Sequence, residues 1–181
     1  TVGLLGDRKG KALEAIRLVQ ECFSEFNMQK AVLPDATRYF KILSKELVPY
    51  FYAALKNHKI TQEALKLLQK DSADYQEIGR LMTEHHQVLR DQLKITTPKI
   101  DRMIDAALNA GAYGAKIVGS GGAGSICAIA PTHKVQAIKE AIQTVSNENA
   151  YLVDFGPGVM RRASAMSPSY GGQFEQMELK N

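Results

Sequence analysis

The sequence predicts an α+β fold with a helix-rich N-terminal half and a small antiparallel sheet in the C-terminal half. Apolar residues recur every three or four positions through most of residues 8–93, as on amphipathic helices. Two short apolar stretches rich in β-branched residues, 115–118 and 126–130, then flank a glycine-rich segment. A helix and a third strand over residues 150–155 follow, and this order of elements is that of a split βαβ, ferredoxin-like sheet.

The first helix is predicted from residue 9 to about residue 27, and Leu33-Pro34-Asp35 separates it from the next. One or two short helices follow, with an interruption near Pro49, because proline lacks the N–H group that a helix interior uses. Residues 2–5 are apolar and are a candidate for one additional strand.

Two more helical segments are predicted before the sheet region. One covers residues 61–69, where the apolar spacing is again helical. The other is capped by Asp71 or Ser72 and ends near residues 90–93.

Local signals define the helices on either side of the glycine-rich segment. Thr97 and Pro98 predict a helix start, because the threonine side chain can accept a free N–H group and the φ of proline suits the first turn. Gly111 is predicted to end this helix in the left-handed conformation. Thr132 is predicted to cap a later helix that runs to about Val145.

The composition argues against several classes of protein. The chain has 181 residues, of which 45% are hydrophobic, and a net charge of +4. Its Lys and Arg residues are scattered among Asp and Glu, so no nucleic-acid partner is expected. It has no apolar run of membrane-spanning length and no signal-peptide pattern, so no membrane partner and a cytoplasmic location are expected. Cys22 and Cys127 are predicted to be small buried thiols.

The segment Gly119-Ser120-Gly121-Gly122-Ala123-Gly124-Ser125 is the main candidate for a binding site. Glycine has no Cβ and adopts positive φ readily, so several backbone N–H groups of such a loop can converge on one phosphate. The alternative is a glycine-rich hairpin turn without a ligand.

Three known phosphate-binding motifs do not fit this segment. A dinucleotide-binding turn opens a helix, whereas a strand is predicted here. A Walker A loop has a lysine after its last glycine, and none follows Gly124. A protein-kinase glycine loop lies between strands, but the lysine strand and the His-Arg-Asp loop are missing before Asp154-Phe155-Gly156.

Other charged residues are weaker candidates. His85 and His86 are neighbours on a helix and point about 100° apart, so we expect one to pack in the domain and the other to meet solvent, without a shared metal. Asp101 and Asp105 lie one helical turn apart and are predicted to belong to a solvated face. Asp7-Arg8-Lys9 is a candidate border of a substrate pocket in a longer protein, with no assigned role here. Asp154 with Arg161-Arg162 is a candidate anion site, but these residues are predicted to be surface charges.

Three segments carry a family resemblance. They are Met-Thr-Glu-His-His-Gln-Val-Leu-Arg-Asp at 82–91, Ile-Thr-Thr-Pro-Lys-Ile-Asp at 95–101 and Gly-Ala-Lys-Ile-Val-Gly-Ser-Gly-Gly-Ala-Gly at 114–124. In this order they resemble the C-terminal lobe of the GHMP small-molecule kinases, among them galactokinase, homoserine kinase, mevalonate kinase and phosphomevalonate kinase. The first segment is most similar to galactokinases, with mevalonate kinases next.

The resemblance implies an ATP-dependent transfer of the γ-phosphate to a hydroxyl of a sugar or a mevalonate-like compound, with Mg²⁺ accompanying ATP in the full-length enzyme. It implies a nucleotide- and phosphate-binding role for a set of loop residues, and neither a catalytic residue nor a metal ligand in this fragment. Galactokinases usually have Phe where Ala123 stands, and mevalonate kinases Gly, so the acceptor stays open. The implied phosphate-binding residues are Gly119, Ser120, Gly121, Gly122 and Gly124.

The resemblance also implies how the chain is organised. Residues 1–160 would form the C-terminal lobe, helical over 8–93 and α/β over 95–160, with a flexible tail at 161–181. The phosphate loop and the catalytic acid of the family lie in an N-terminal lobe of the same protein, which we expect upstream, and the fragment alone is expected to be inactive. The alternative hypothesis is a non-enzymatic ferredoxin-like module that binds a small anion or a partner subunit.

Overall fold

The computed structural model describes residues 2–31, 33–70, 72–119, 121–122 and 124–153. Most of this part of the chain is helical, with one antiparallel hairpin between the last two α-helices. Short 3₁₀ turns at Leu33–Asp35 and Thr132–Lys134 precede α2 and α6. The elements are α1 Val2–Cys22, α2 Ala36–Phe40, α3 Val48–Leu68, α4 Tyr75–Asp91, α5 Pro98–Asn109, β1 Gly114–Val118, β2 Ser125–Ile129 and α6 Val135–Ser146.

Aromatic rings form the centre of the N-terminal core, which joins α1, α2 and α3. The ring of Tyr39 meets those of Phe23 and Phe26 at centroid distances of 5.0 Å, with edge-to-face geometry. Phe51 is fully buried beside them. Edge-to-face ring pairs are favourable beyond the area that they bury, so this cluster stabilises the helical half.

The N-terminal half differs from the sequence prediction in several places. The additional strand at residues 2–5 is wrong, because these residues begin α1. Pro49 lies in the first turn of α3 and therefore starts a helix, where its missing N–H has no partner to lose. Residues 61–68 continue the same helix, and the cap of α4 is Asp74, whose side chain accepts from the Glu77 N–H at 3.0 Å.

The C-terminal core is formed by α5, α6 and the hairpin, elements that were predicted in this order. The Thr97 side chain accepts from the Ile100 N–H at 3.3 Å, and Pro98 opens the first turn of α5. Gly111 follows this helix with φ of +103°, the left-handed conformation that glycine adopts without strain. The buried residues of this core are Ile100, Met103, Ile104, Ala107, Ala115, Ile117, Ile138 and Ile142.

The two strands pair antiparallel, with Gly114 opposite Ile129 and Val118 opposite Ser125. The chain therefore has the predicted helix-rich α+β composition. The third strand predicted over 150–155 is not formed by residues 150–153, which are irregular. Tyr151, Leu152 and Val153 are 76%, 68% and 81% exposed, and among the described residues this apolar run has no neighbouring strand to pair with. Within the described ranges the sheet has two strands, short of a split βαβ arrangement, and residues 154–155 and the predicted tail 161–181 lie outside them.

Both cysteines are exposed and free, so the prediction of buried thiols is wrong. Cys22 is the last residue of α1, and Cys127 lies in the centre of β2 on its more exposed face. In the ranges that the structure describes, no helix combines the length and apolar character that crossing a membrane requires.

Candidate phosphate-binding loop

The loop between β1 and β2 has a backbone that only glycine adopts readily. Gly119, Gly121, Gly122 and Gly124 have φ of +82°, +76°, +75° and +144°. A residue with a Cβ is disfavoured at each of these angles. Ser120 and Ala123 lie outside the described residues. Four closely spaced positive φ values explain why this segment is rich in glycine.

The middle of the loop is seated on the backbone between α4 and α5. The Gly122 N–H donates to the Ile95 carbonyl oxygen at an N···O distance of 2.6 Å. Gly121 is buried, and a Cβ added there would lie 2.6 Å from the same oxygen. Because real Cβ atoms do not approach a carbonyl oxygen so closely, the absence of a side chain at Gly121 is a condition for this contact.

The two ends of the loop remain exposed. A Cβ added to Gly119 would meet no atom within 4 Å, and Gly124 is exposed as well. Gly124 also lines an apolar groove of about 1000 Å³ between β2, α5 and α6. The amide of Gly122 is already bonded internally, so the exposed ends are the parts of the loop best placed to present donors outward.

The seat of the loop, residues 92–97, is itself held by several hydrogen bonds. The Ile95 N–H donates to the Leu89 carbonyl at 3.2 Å, and Lys94 has φ of +53°. Arg8 of α1 donates from Nε to the Leu93 carbonyl at 3.1 Å and from its guanidinium to the Tyr50 hydroxyl at 2.8 Å. Arg8 is therefore a link between the helical half and the seat, a role that the sequence analysis missed.

His86 and Asp101 form a second contact at the seat. The imidazole of His86 is 2% exposed, and its Nε2 lies 3.2 Å from Oδ1 of Asp101. The Thr96 hydroxyl donates to Oδ2 of the same carboxylate at 3.3 Å. The prediction of a solvated face is therefore wrong for Asp101, which is half-buried and bonded on both oxygens, whereas Asp105 is exposed as predicted. The sequence signal for this contact was Asp101 in the first turn of a predicted helix, a few residues after Thr96 and within one of the family-like segments.

Burial keeps the His86 ring neutral, because it lowers the pKa of the imidazole more than the nearby Asp101 carboxylate raises it. Nδ1 of His86 is buried without a hydrogen-bond partner in the described part of the chain. The tautomer with its proton on Nε2 therefore donates to Asp101, and its Nδ1 carries a lone pair without a partner in the described part of the chain.

His85 makes the stability of the protein depend on pH. Burial, with the positive charge of Lys116 and the neighbouring His86, lowers its pKa from 6.5 to about 4. Between pH 6.5, the pKa in the unfolded chain, and about 4, the pKa in the folded protein, only the unfolded chain binds this proton. The free energy of unfolding is therefore highest above pH 6.5 and decreases as the pH falls toward about 4.

We expect urea unfolding at pH of about 7 and about 5 to show a loss of stability on acidification that is smaller in His85→Gln than in the unchanged protein. The variant removes the titrating group and leaves the carboxylates that also respond to acid. Equal losses in the two proteins would contradict the assignment to His85.

No group of three or more His, Cys, Asp or Glu side chains converges on a metal-sized site within the described residues. The candidate anion site at Asp154 and Arg161-Arg162 lies outside them. Of the sequence-predicted residues, the structure brings together the glycine loop and the Thr96–Asp101 segment but leaves Asp7 and Asp105 apart from that contact.

Comparison with known proteins defines the class to which this fold and loop belong. Residues 63–147 match the family model described as GHMP kinases C terminal, and this range contains α4, α5, both strands and the loop. The chain therefore contains a GHMP kinase C-terminal domain.

Within that class the chain is similar to galactokinases. It is 35% identical to the galactokinase of Pasteurella multocida over 154 residues, covering 77% of this chain and 40% of that protein. It is 29% identical to the galactokinase of Chloroflexus aggregans over 140 residues, covering 75% of this chain and 35% of that protein. The chain thus spans well under half the length of these curated relatives.

A solved structure shares the fold. The structure of Lactococcus lactis galactokinase complexed with galactose superimposes with a TM-score of 0.67, covering 80% of this chain and 37% of that chain. The sequence identity in this comparison is 20%, and the likeness is one of fold.

Proposed function

We propose that this chain is the C-terminal lobe of a galactokinase-like enzyme that transfers the γ-phosphate of ATP to a hydroxyl of a sugar. The observation that carries the proposal is the 35% identity to a galactokinase over 154 residues, a stretch that includes most of this chain. The missing contributions, a main phosphate loop and a catalytic acid, would come from an N-terminal lobe of the same protein.

The glycine loop would lie beside the phosphates of ATP, with Gly119, Ser120, Gly121, Gly122 and Gly124 as the binding segment. Gly121 and Gly122 would fix the loop on Ile95, since one is buried there and the other donates to its carbonyl. The exposed Gly119 and Gly124 would then leave backbone donors free to face negative charge. Such preorganised donors stabilise the charge on a transferring phosphoryl group without further reorganisation.

The residues present fit a phosphate better than a metal ion. Backbone donors at positive φ suit an anion, whereas the described residues hold no cluster of acidic ligands. Mg²⁺ would therefore be held by ATP and by the other lobe, where it would neutralise phosphate charge. This chain would contribute positioning of the phosphates.

The proposal is tested by phosphoryl transfer from radiolabelled MgATP to galactose, other sugars and mevalonate. The protein encoded by the complete gene and this 181-residue chain are assayed side by side. We expect galactose or a related sugar to be phosphorylated by the complete protein, and no turnover by the chain alone, because positioning without a phosphate clamp and an acceptor base supplies little catalysis. A complete protein that phosphorylates none of the acceptors would contradict the kinase assignment and favour a binding module.

A further inference from the structure

A chain of three polar side chains, buried at His86 and half-buried at Asp101 and Thr96, ends at the seat of the glycine loop. His86 is on α4, Asp101 is in the first turn of α5, and Thr96 lies between these helices, directly after Ile95. The Asp101 carboxylate bridges the other two, with one oxygen 3.2 Å from His86 Nε2 and the other 3.3 Å from the Thr96 hydroxyl.

We propose that His86, Asp101 and Thr96 are positioning residues that hold the Ile95 carbonyl in place for the Gly122 amide, and thereby fix the glycine loop. The positional role stands on this geometry alone. Its consequence for phosphoryl transfer rests on the proposed function.

The first step of the argument is that the loop has one strong tether on the seat. Among the loop amides of the described residues, that of Gly122 bonds outside the hairpin, and its acceptor is the Ile95 carbonyl at 2.6 Å. Any movement of the Ile95 peptide therefore moves or releases the loop. The contact is also tight on its other side, where Gly121 leaves no room for a Cβ.

The second step is that the Thr96–Asp101 bond restrains that peptide. Thr96 shares a peptide unit with Ile95, so a fixed Thr96 side chain limits rotation of the Ile95 carbonyl. Asp101 is suited to hold it, because a carboxylate in the first turn of a helix is stabilised by the helix dipole. His86 then fixes the carboxylate from a site with almost no solvent access.

The third step is the effect of a displaced glycine loop on the rate of phosphoryl transfer. Phosphoryl transfer depends on positioned donors, and a displacement of about 1 Å far from the reacting atoms can lower a rate about 100-fold. None of the three side chains need touch the nucleotide for this effect. A role limited to filling the core would instead lower the stability of the whole domain.

Thr96 offers the sharpest test, because two near-isosteric variants separate its hydroxyl from its shape. Thr96→Val removes the hydroxyl, and Thr96→Ser retains it. The readout is hydrogen exchange of single amides in this chain, with Tyr113 as the reference, since its N–H donates to the Ile129 carbonyl at 2.8 Å at the other end of the hairpin. We expect the Gly122 amide to exchange about tenfold faster in Thr96→Val, relative to Tyr113, and near the original rate in Thr96→Ser.

The carboxylate is tested with a pair on one helix. Asp101→Ala is expected to accelerate exchange at Gly122 by at least about tenfold relative to Tyr113, whereas Asp105→Ala, one turn further along α5 and exposed, is expected to leave it unchanged. Unchanged exchange at Gly122 in both Thr96→Val and Asp101→Ala would overturn the proposal. Equal acceleration at Gly122 and Tyr113 would also overturn it, because it would report a general loss of stability.

The catalytic consequence is measured in the complete protein. There Thr96→Val is expected to lower kcat about tenfold with little change in the KM for sugar, and Thr96→Ser to restore it. An active enzyme whose kcat is insensitive to Thr96→Val would refute the catalytic consequence. A complete protein without any kinase activity would refute the proposed function, while the exchange rates would still decide the positioning role.

Discussion

Replacing Gly114 with alanine is expected to lower the free energy of unfolding by about 4 kcal/mol or more, among the larger effects of a single substitution. Gly114 begins β1 where this strand crosses α4, and a Cβ added there would lie 1.7 Å from the carbonyl oxygen of Gly79. The opposing glycine has no space either, since a Cβ on Gly79 would lie 2.5 Å from the carbonyl carbon of Tyr113. Two backbones in direct contact leave no flexible side chain to move aside.

Urea unfolding followed by circular dichroism measures this effect. The matched control is Gly10→Ala in α1, where an added Cβ meets no atom within 4 Å. That variant is expected to be more stable than the original by up to about 1 kcal/mol, because alanine favours the helix. An unfolding midpoint of Gly114→Ala equal to that of the original protein would show that α4 and β1 are not in contact.

The second large effect is expected for Gly121→Ala, which would place a Cβ 2.6 Å from the Ile95 carbonyl at a φ of +76°. The loop must then leave its seat, so a complete protein with the proposed kinase activity is expected to lose about 100-fold in kcat/KM. The three atoms nearest to this Cβ all belong to Ile95, so the clash is local and the circular dichroism spectrum of the domain is expected to stay unchanged.

Gly119→Ala provides the comparison for stability. Its φ of +82° carries a similar backbone penalty of about 1 kcal/mol, but its Cβ would project into open space. The difference in unfolding free energy between the two variants therefore isolates the clash with Ile95. Equal stability, with equal protection of the Gly122 amide from hydrogen exchange, would contradict the described seat.

Local capping signals predicted the bounds of α5, but the caps predicted for α4 and α6 were wrong, since Asp74 caps α4 and Thr132 begins the 3₁₀ turn before α6. Thr97, Pro98 and Gly111 bound α5 closely, because a cap depends on residues within one turn of it. Pro49 was misassigned because the same residue that breaks a helix interior also begins a helix, and only the following residues distinguish the two. Residues 150–153 have the composition of a strand, but a strand also needs a partner to pair with.

The site was predictable in part for the same reason. Four glycines in seven residues revealed the unusual backbone of the loop, since that conformation is a local property. Its seat on Ile95 and the bridge through Asp101 are tertiary contacts, and no spacing rule brings Gly122 to Ile95. One histidine of the pair was expected to pack, but that it is His86, and that its partner is Asp101, follows only from the placement of α4 and α5.

The acceptor for the Gly122 amide is a main-chain oxygen, so the bond does not depend on which side chain stands at position 95. Position 95 can exchange one aliphatic residue for another without altering the bond, because every amino acid supplies the same oxygen. The facing Gly121 and Gly122 have no such freedom, because both have positive φ and a Cβ on Gly121 would also clash with Ile95. We therefore expect substitutions to be tolerated at position 95 and to be selected against at Gly121 and Gly122, on the other side of the contact.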